Sequence, residues 1–274
     1  MPREIKLTGP WAYGWSRGPD VSSVELGRRI EPPTYPQIEF VDIPNGPLFH
    51  WYQRVLRLPE VPIENTRLLR FGAAHYRTDV WIDGAHAGSH KGGYTPFEIA
   101  LPIEKTHADV IVRVWATTHE TQAAWIPRGS QPRVGDCSGI WQPVSIITRP
   151  LNAIVSVQTD PLPTGGGVRL MVERSGTKPG CLQVEIRSMQ SKKVLWQGSA
   201  NTPDGGSVEV TASDFEFEPW SPDRPTLYQV WLGLNSASTT DERSFALGFR
   251  RISCTSQDLR LNGMPVYIRG IYDD

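Results

Sequence analysis

Alternation with a period of two dominates the hydrophobic pattern of this chain. In "CLQVEIRS" (181–188) and "SVEVTAS" (207–213) every second residue is apolar. That is the pattern of a strand that lays one face on a core and shows the other to water. Further β-rich runs recur between turn signals. The first half holds "FHWYQRVLRL", "NTRLLRFGAA", "TDVWIDGAHAGSH" and "ADVIVRVWATT"; the second holds "AIVSVQTD", "GVRLMVERSG", "KKVLWQGSA" and "TLYQVWLGLNS". No helical periodicity longer than about two turns competes with them. The class predicted is all-β, built from sandwiches.

The spacing of these runs changes near "IITRPLNAIV" (146–155). Long loops precede it, and short, closely spaced strands follow. Residues 1–149 are expected to form a jelly-roll sandwich and residues 150–250 an immunoglobulin-like sandwich of about seven strands. Residues 251–274 remain as a short C-terminal β stub. Within that stub, Asn262-Gly263 predicts a type I′ hairpin and "VYIRGIY" a buried strand. Asp83-Gly84 predicts a second tight hairpin. Trp81, Trp115, Trp141 and Trp231 lie in strand patterns and are expected in a core or between sheets, because an indole contributes a large apolar area.

Composition narrows the function. The 274 residues carry 28 Lys and Arg against 29 Asp and Glu, which lacks the basic excess of a nucleic-acid binder. No apolar run approaches the ~18 residues of a membrane span. The N-terminus has no apolar h-region, so no signal peptide and a cytoplasmic location are expected. Cys137, Cys181 and Cys254 are odd in number and far apart, giving neither a disulfide framework nor a CxxC metal site. His86 and His90 would share a face on a helix. In a hairpin that spacing loses its meaning, so no metal is expected there, and no cofactor motif is present.

At this point the motifs carry a resemblance. "VWIDGAHAGSHKGGYTPFEIAL" resembles the hairpin, G-x-H-x-G-G-Y turn and following P-F of the N-terminal sugar-binding domain of family 2 glycoside hydrolases, the β-galactosidase, β-glucuronidase and β-mannosidase group. "GPWAYGW", "WYQRVLRLP" and "CSGIWQPVSI" fall in that family's order. "EPWSPDRPTLYQVWLGL" resembles a segment of its immunoglobulin-like domain. "FALGFRRI" and "LRLNGMPVYIRG" resemble the junctions into its catalytic (β/α)8 barrel.

The resemblance implies a parent that hydrolyses O-glycosidic bonds with retention, using two glutamates from later barrel strands about 5–5.5 Å apart. The acid/base of the family lies in an Asn-Glu pair, and no Asn-Glu dipeptide occurs in these residues. The barrel itself needs about 250 residues. The chain is therefore expected to be the non-catalytic N-terminal portion, with no catalytic residue of its own. Its expected partners are the parent's barrel, carbohydrate and further copies of itself in a homo-oligomer.

The resemblance also implies that the loop "AAWIPRGSQPRVGDCSGIW" approaches the active-site mouth. Trp125, Arg128 and Asp136 are its candidate sugar contacts; Asp136 lies closer to Ser138-Gly139-Ile140 than the family's acid does. Tyr272, Asp273 and Asp274 stand where many members continue R-G-[VA]-N-[RK]-H. If a barrel followed, those three would sit near its substrate rim. Two rival readings stay open: a stand-alone carbohydrate-binding protein, and a structural or interaction module.

Overall fold

A computed structural model describes residues 3–44, 48–115, 130–131, 135–136, 138–162, 166–203, 206–236, 240–256, 258–267 and 269–270. The chain divides between Arg149 and Pro150 into two compact units. Almost every regular element is a strand.

The first unit is a two-sheet sandwich. One sheet orders the strands Arg3–Lys6, Val144–Pro150, Asn65–Phe71 and Phe97–Leu101. The other orders Arg28–Ile30, Trp11–Ser16, Phe49–Arg57, His107–Trp115, Arg77–Ile82 and Ala85–Lys91. Successive long strands switch repeatedly between the two sheets, as in a jelly roll. The parity of each strand decides its faces. In His107–Trp115, Ala108, Val110, Val112 and Val114 are buried, while Asp109, Ile111, Arg113 and Trp115 are half-buried on the other side. Trp11, Tyr13, Tyr52, Leu69, Phe71 and Val80 complete the same core. Each fully buried aliphatic or aromatic side chain of this kind contributes roughly 1.5–3 kcal/mol.

The second unit packs three strands, Ile154–Pro161, Gly167–Arg174 and Ser207–Ser213, against four, ordered Val194–Thr202, Gly180–Ser188, Tyr228–Ser236 and Thr240–Leu247. This is the 3 + 4 arrangement of an immunoglobulin-like sandwich. The core is what the alternation dictates: Val168, Leu170 and Val172 meet Leu182, Val184, Ile186, Val230 and Leu232. Tyr228 opens its strand, and its hydroxyl accepts from the backbone N–H of Glu218 at 2.7 Å. That is the tyrosine corner of such folds. Asp241, buried, accepts from the backbone N–H of Ile154 at 2.9 Å.

A small sheet of Ile252–Cys254, Leu259–Leu261 and Met264–Pro265 follows. Its hairpin turns at Asn262 (φ 52°) and Gly263 (φ 84°), and Asp83 (φ 51°) and Gly84 (φ 82°) turn the same way in the first unit. These are the positive-φ pairs expected of type I′ turns.

Two expectations are corrected. Val266 and Tyr267 belong to no strand, and Tyr267 is 84% exposed. In the described part of "VYIRGIY" the ladder ends at Val266, whose N–H donates to the carbonyl of Leu259 at 2.8 Å, and a strand exists only by pairing. The four tryptophans assigned to cores are also elsewhere. Trp81, Trp115 and Trp231 are half-buried on the outer faces of their sheets, because Val80, Ile82, Val114, Val230 and Leu232 hold the inward positions beside them. Trp141 lies among loop residues.

Candidate functional site

The loop singled out from the sequence lies between the strand ending at Trp115 and Ser138, both of which belong to the first sandwich. Of the expected sugar contacts, Trp125 and Arg128 lie outside the described residues. Asp136 is placed by its backbone, which pairs antiparallel with Ser130. Tyr272, Asp273 and Asp274 also lie outside the described residues. What the structure does define is the root of the loop and its surroundings.

That root is a buried polar chain. His50, on the inner face of Phe49–Arg57, is fully buried. Its Nδ1 meets the hydroxyl of Tyr13 at 2.8 Å, and its Nε2 meets Oγ of Ser138 at 2.6 Å. Gln37 donates to the same Oγ at 2.6 Å. The next backbone donor, Ile140 N–H, bonds the hydroxyl of Tyr52 at 3.3 Å. Burial pushes the imidazole of His50 down to about 3, so it is neutral at physiological pH. Burial likewise raises the phenols of Tyr13 and Tyr52. A serine bonded to a histidine suggests a nucleophile and its base, but both side chains are fully enclosed. The chain Tyr13–His50–Ser138–Gln37 therefore fastens the loop's end to the sandwich.

Outside this root lies an aromatic cluster. Trp141 stacks on Tyr35 with ring centres 6.2 Å apart and meets the edge of Tyr94 at 5.7 Å. Its indole N–H donates to the carbonyl of Gly93 at 2.8 Å. Tyr94, 49% exposed, also touches His75. Two glycines permit the arrangement. A Cβ at Gly93 would lie 2.3 Å from His75, and one at Gly139 (φ 111°) would lie 2.4 Å from the hydroxyl of Tyr52. The G-G-Y and S-G-I-W motifs thus encode one structural unit, Gly139–Ile140 pairing with Ala74–His75 beneath the cluster. Half-exposed rings beside backbone carbonyls suit contact with an amphipathic ring such as a sugar.

Four described carboxylates in the first unit, Asp42, Asp79, Asp83 and Glu98, are paired with cations. Asp79 is buried and would be raised by that burial, but the Ser89 hydroxyl and the Arg113 guanidinium, 2.8 Å away, keep it below its ordinary value. Arg113 in turn sits over Phe49, Trp51 and Trp81 at 5.1–5.5 Å. Glu98 pairs with Arg149 at 2.9 Å and Asp83 with Lys105 at 2.6 Å. His86 and His90 face different partners: His86 lies 3.1 Å from Ser89 Oγ, while His90 stacks on Phe97 and lies 3.3 Å from Thr95 Oγ1.

Sequence reasoning did not name Tyr35, Tyr94, Trp141 or the His50 chain as site residues. The available signal was the pair of glycine motifs flanking Tyr94 and Trp141.

Comparison with known proteins places this architecture. No family model matches the chain. It is 24% identical to the β-glucuronidase of Felis catus over 253 residues, covering 81% of this chain and 38% of that protein. It is also 24% identical to the β-galactosidase of Photobacterium profundum over 291 residues, covering 98% of this chain and 26% of that protein. Among solved structures, a Bacteroides uniformis β-glucuronidase with cyclophellitol-6-carboxylate aziridine covalently bound superposes with a TM-score of 0.73 at 20% identity, over 99% of this chain and 35% of its own. A β-D-glucuronidase of Dictyoglomus thermophilum gives 0.68 at 21%, over 98% and 47%. The fold is that of the non-barrel sandwiches of large glycosidases. The relatives are family 2 glycoside hydrolases, β-glucuronidases and a β-galactosidase, as the motifs indicated. The chain spans about a quarter to two fifths of the length of these curated relatives.

Proposed function

We propose that this chain is the non-catalytic N-terminal portion of a family 2-like glycoside hydrolase whose bond-breaking glutamates lie in a separate barrel. One observation carries the reading: similarity to β-glucuronidases and a β-galactosidase runs through 81–98% of the chain, yet occupies only 26–38% of those proteins. In this reading the first sandwich presents the loop after Trp115 to a substrate mouth. The buried Tyr13–His50–Ser138 chain fixes the loop's end, and Trp125, Arg128 and Asp136 are its sugar contacts. Tyr272, Asp273 and Asp274 would stand on the rim of the barrel, and substrate, anomer and assembly follow from that barrel.

The test is turnover of p-nitrophenyl β-D-glucuronide and β-D-galactoside. The 274-residue chain alone is expected to be inert, and the same chain joined to a family 2 barrel encoded downstream to be active. Turnover by the purified chain, abolished by replacing one of its own carboxylates, would overturn the proposal.

A further inference from the structure

Outside the first unit, the outer face of the four-stranded sheet in the second sandwich carries an aromatic platform. Trp231 stands there directly opposite Glu185, and Gln229 directly opposite Arg187, on the adjacent strands Tyr228–Ser236 and Gly180–Ser188. The four side chains line a cleft of about 290 Å³. The benzo ring of Trp231 rests on Gly233: a Cβ there would come 2.4 Å from Cη2 and 2.8 Å from Cζ2 of the indole. A bare glycine is what lets the ring lie down against its own strand. Trp231 remains partly exposed.

The rim is charged. Arg187 donates through Nε to Oε2 of Glu185 at 2.8 Å, and through Nη2 to the same oxygen. On the other side, Gln183 lies opposite Gly233. The ion pair is neutral as a unit, and the exposed carboxylate of Glu242, opposite Gly233 on the next strand, disfavours an anion. A purely apolar partner would strip water from that pair without compensating it. A neutral ligand with one apolar face and a ring of hydroxyls satisfies every group: its C–H face covers the indole, and its hydroxyls donate to Glu185 and accept from Arg187 and Gln229.

We propose that Trp231, Glu185, Arg187 and Gln229 form a binding site for an uncharged pyranoside on the second sandwich. The site goes beyond the proposed hydrolase parentage and stands or falls independently of it. The experiment titrates the ¹⁵N-labelled 274-residue chain with cellotetraose, mannotetraose and xylotetraose, following the amides of Gly233 and Arg187. Saturable shifts are expected with at least one, with midpoints near ~1 mM. Trp231→Ala is expected to abolish them. Gly233→Val, which lifts the ring off the strand, should weaken binding roughly tenfold. Gln229→Ala should weaken it with an unchanged amide spectrum elsewhere, which separates lost contact from lost fold. Silence with all three sugars, shifts that persist in Trp231→Ala, or shifts that appear only on concentrating the protein without sugar would each overturn the site.

Discussion

Replacement of His50 by glutamine tests the buried chain at the loop's root through its pH dependence. The folded imidazole is held at about 3 by burial, whereas in the unfolded chain it titrates near its ordinary ~6.5. The folded value is depressed, so below pH 6.5 the unfolded state takes up a proton that the folded state refuses. The stability this group contributes is therefore complete above pH 6.5 and is lost as pH falls from 6.5 toward 3. At pH 5 the folded form is still almost entirely neutral, and the loss relative to pH 7.5 is about 2 kcal/mol. His50→Gln removes the titration. Its stability at pH 7.5 falls by about 1–3 kcal/mol, because Tyr13 and Ser138 lose a well-placed partner. Between pH 7.5 and 5 it should then fall by about 2 kcal/mol less than the parent does. Urea unfolding followed by tryptophan fluorescence at both pH values measures the difference, and the other five histidines cancel in the subtraction. Parallel pH dependences in the two proteins would refute the enclosed, neutral histidine.

Three further outcomes follow from the packing. Gly139→Ala places a Cβ 2.4 Å from the Tyr52 hydroxyl at a φ of 111°, and should cost about 1–3 kcal/mol, read as a lowered melting temperature of the first unit. Tyr228→Phe leaves the N–H of Glu218 without its 2.7 Å partner and should cost about 1–3 kcal/mol in the second unit; an unchanged melting temperature would dismiss the tyrosine corner. Removal of residues 256–274 takes away exposed Met264 and Tyr267 and a hairpin tethered through Asn262 to Trp220 and Arg251. It should change stability by less than ~1 kcal/mol while improving solubility, checked by thermal melts and the concentration at which light scattering sets in.

What the sequence displays of this fold is what is periodic and local. Strand alternation puts Val110, Val112 and Val114 inside, and Asn262-Gly263 and Asp83-Gly84 announce their own turns because only certain residues accept positive φ. The tryptophans show the limit. Trp81 and Trp231 drew a core assignment from their size, although Val80, Ile82, Val230 and Leu232 beside them already occupied the inward parity. Period-two patterning outweighs bulk, and a large ring on the wrong parity must lie on the outside. The His50 chain was invisible for another reason. It joins residues 37 and 88 positions apart, and no local pattern encodes a hydrogen bond that only tertiary closure creates. The aromatic cluster of Tyr35, Tyr94 and Trp141 was half-legible, since G-G-Y and S-G-I-W mark tight backbone approaches without saying that the two approach each other.

In the proposed function, these two sandwiches scaffold a glycosidase without containing its nucleophile. Intact-mass spectrometry of the purified chain after incubation with cyclophellitol-6-carboxylate aziridine, the reagent bound covalently to the Bacteroides uniformis relative, addresses it most directly. The expected result is a mass unchanged by the reagent. A stoichiometric adduct, mapped to a carboxylate within these 274 residues and prevented by substituting that carboxylate, would contradict it.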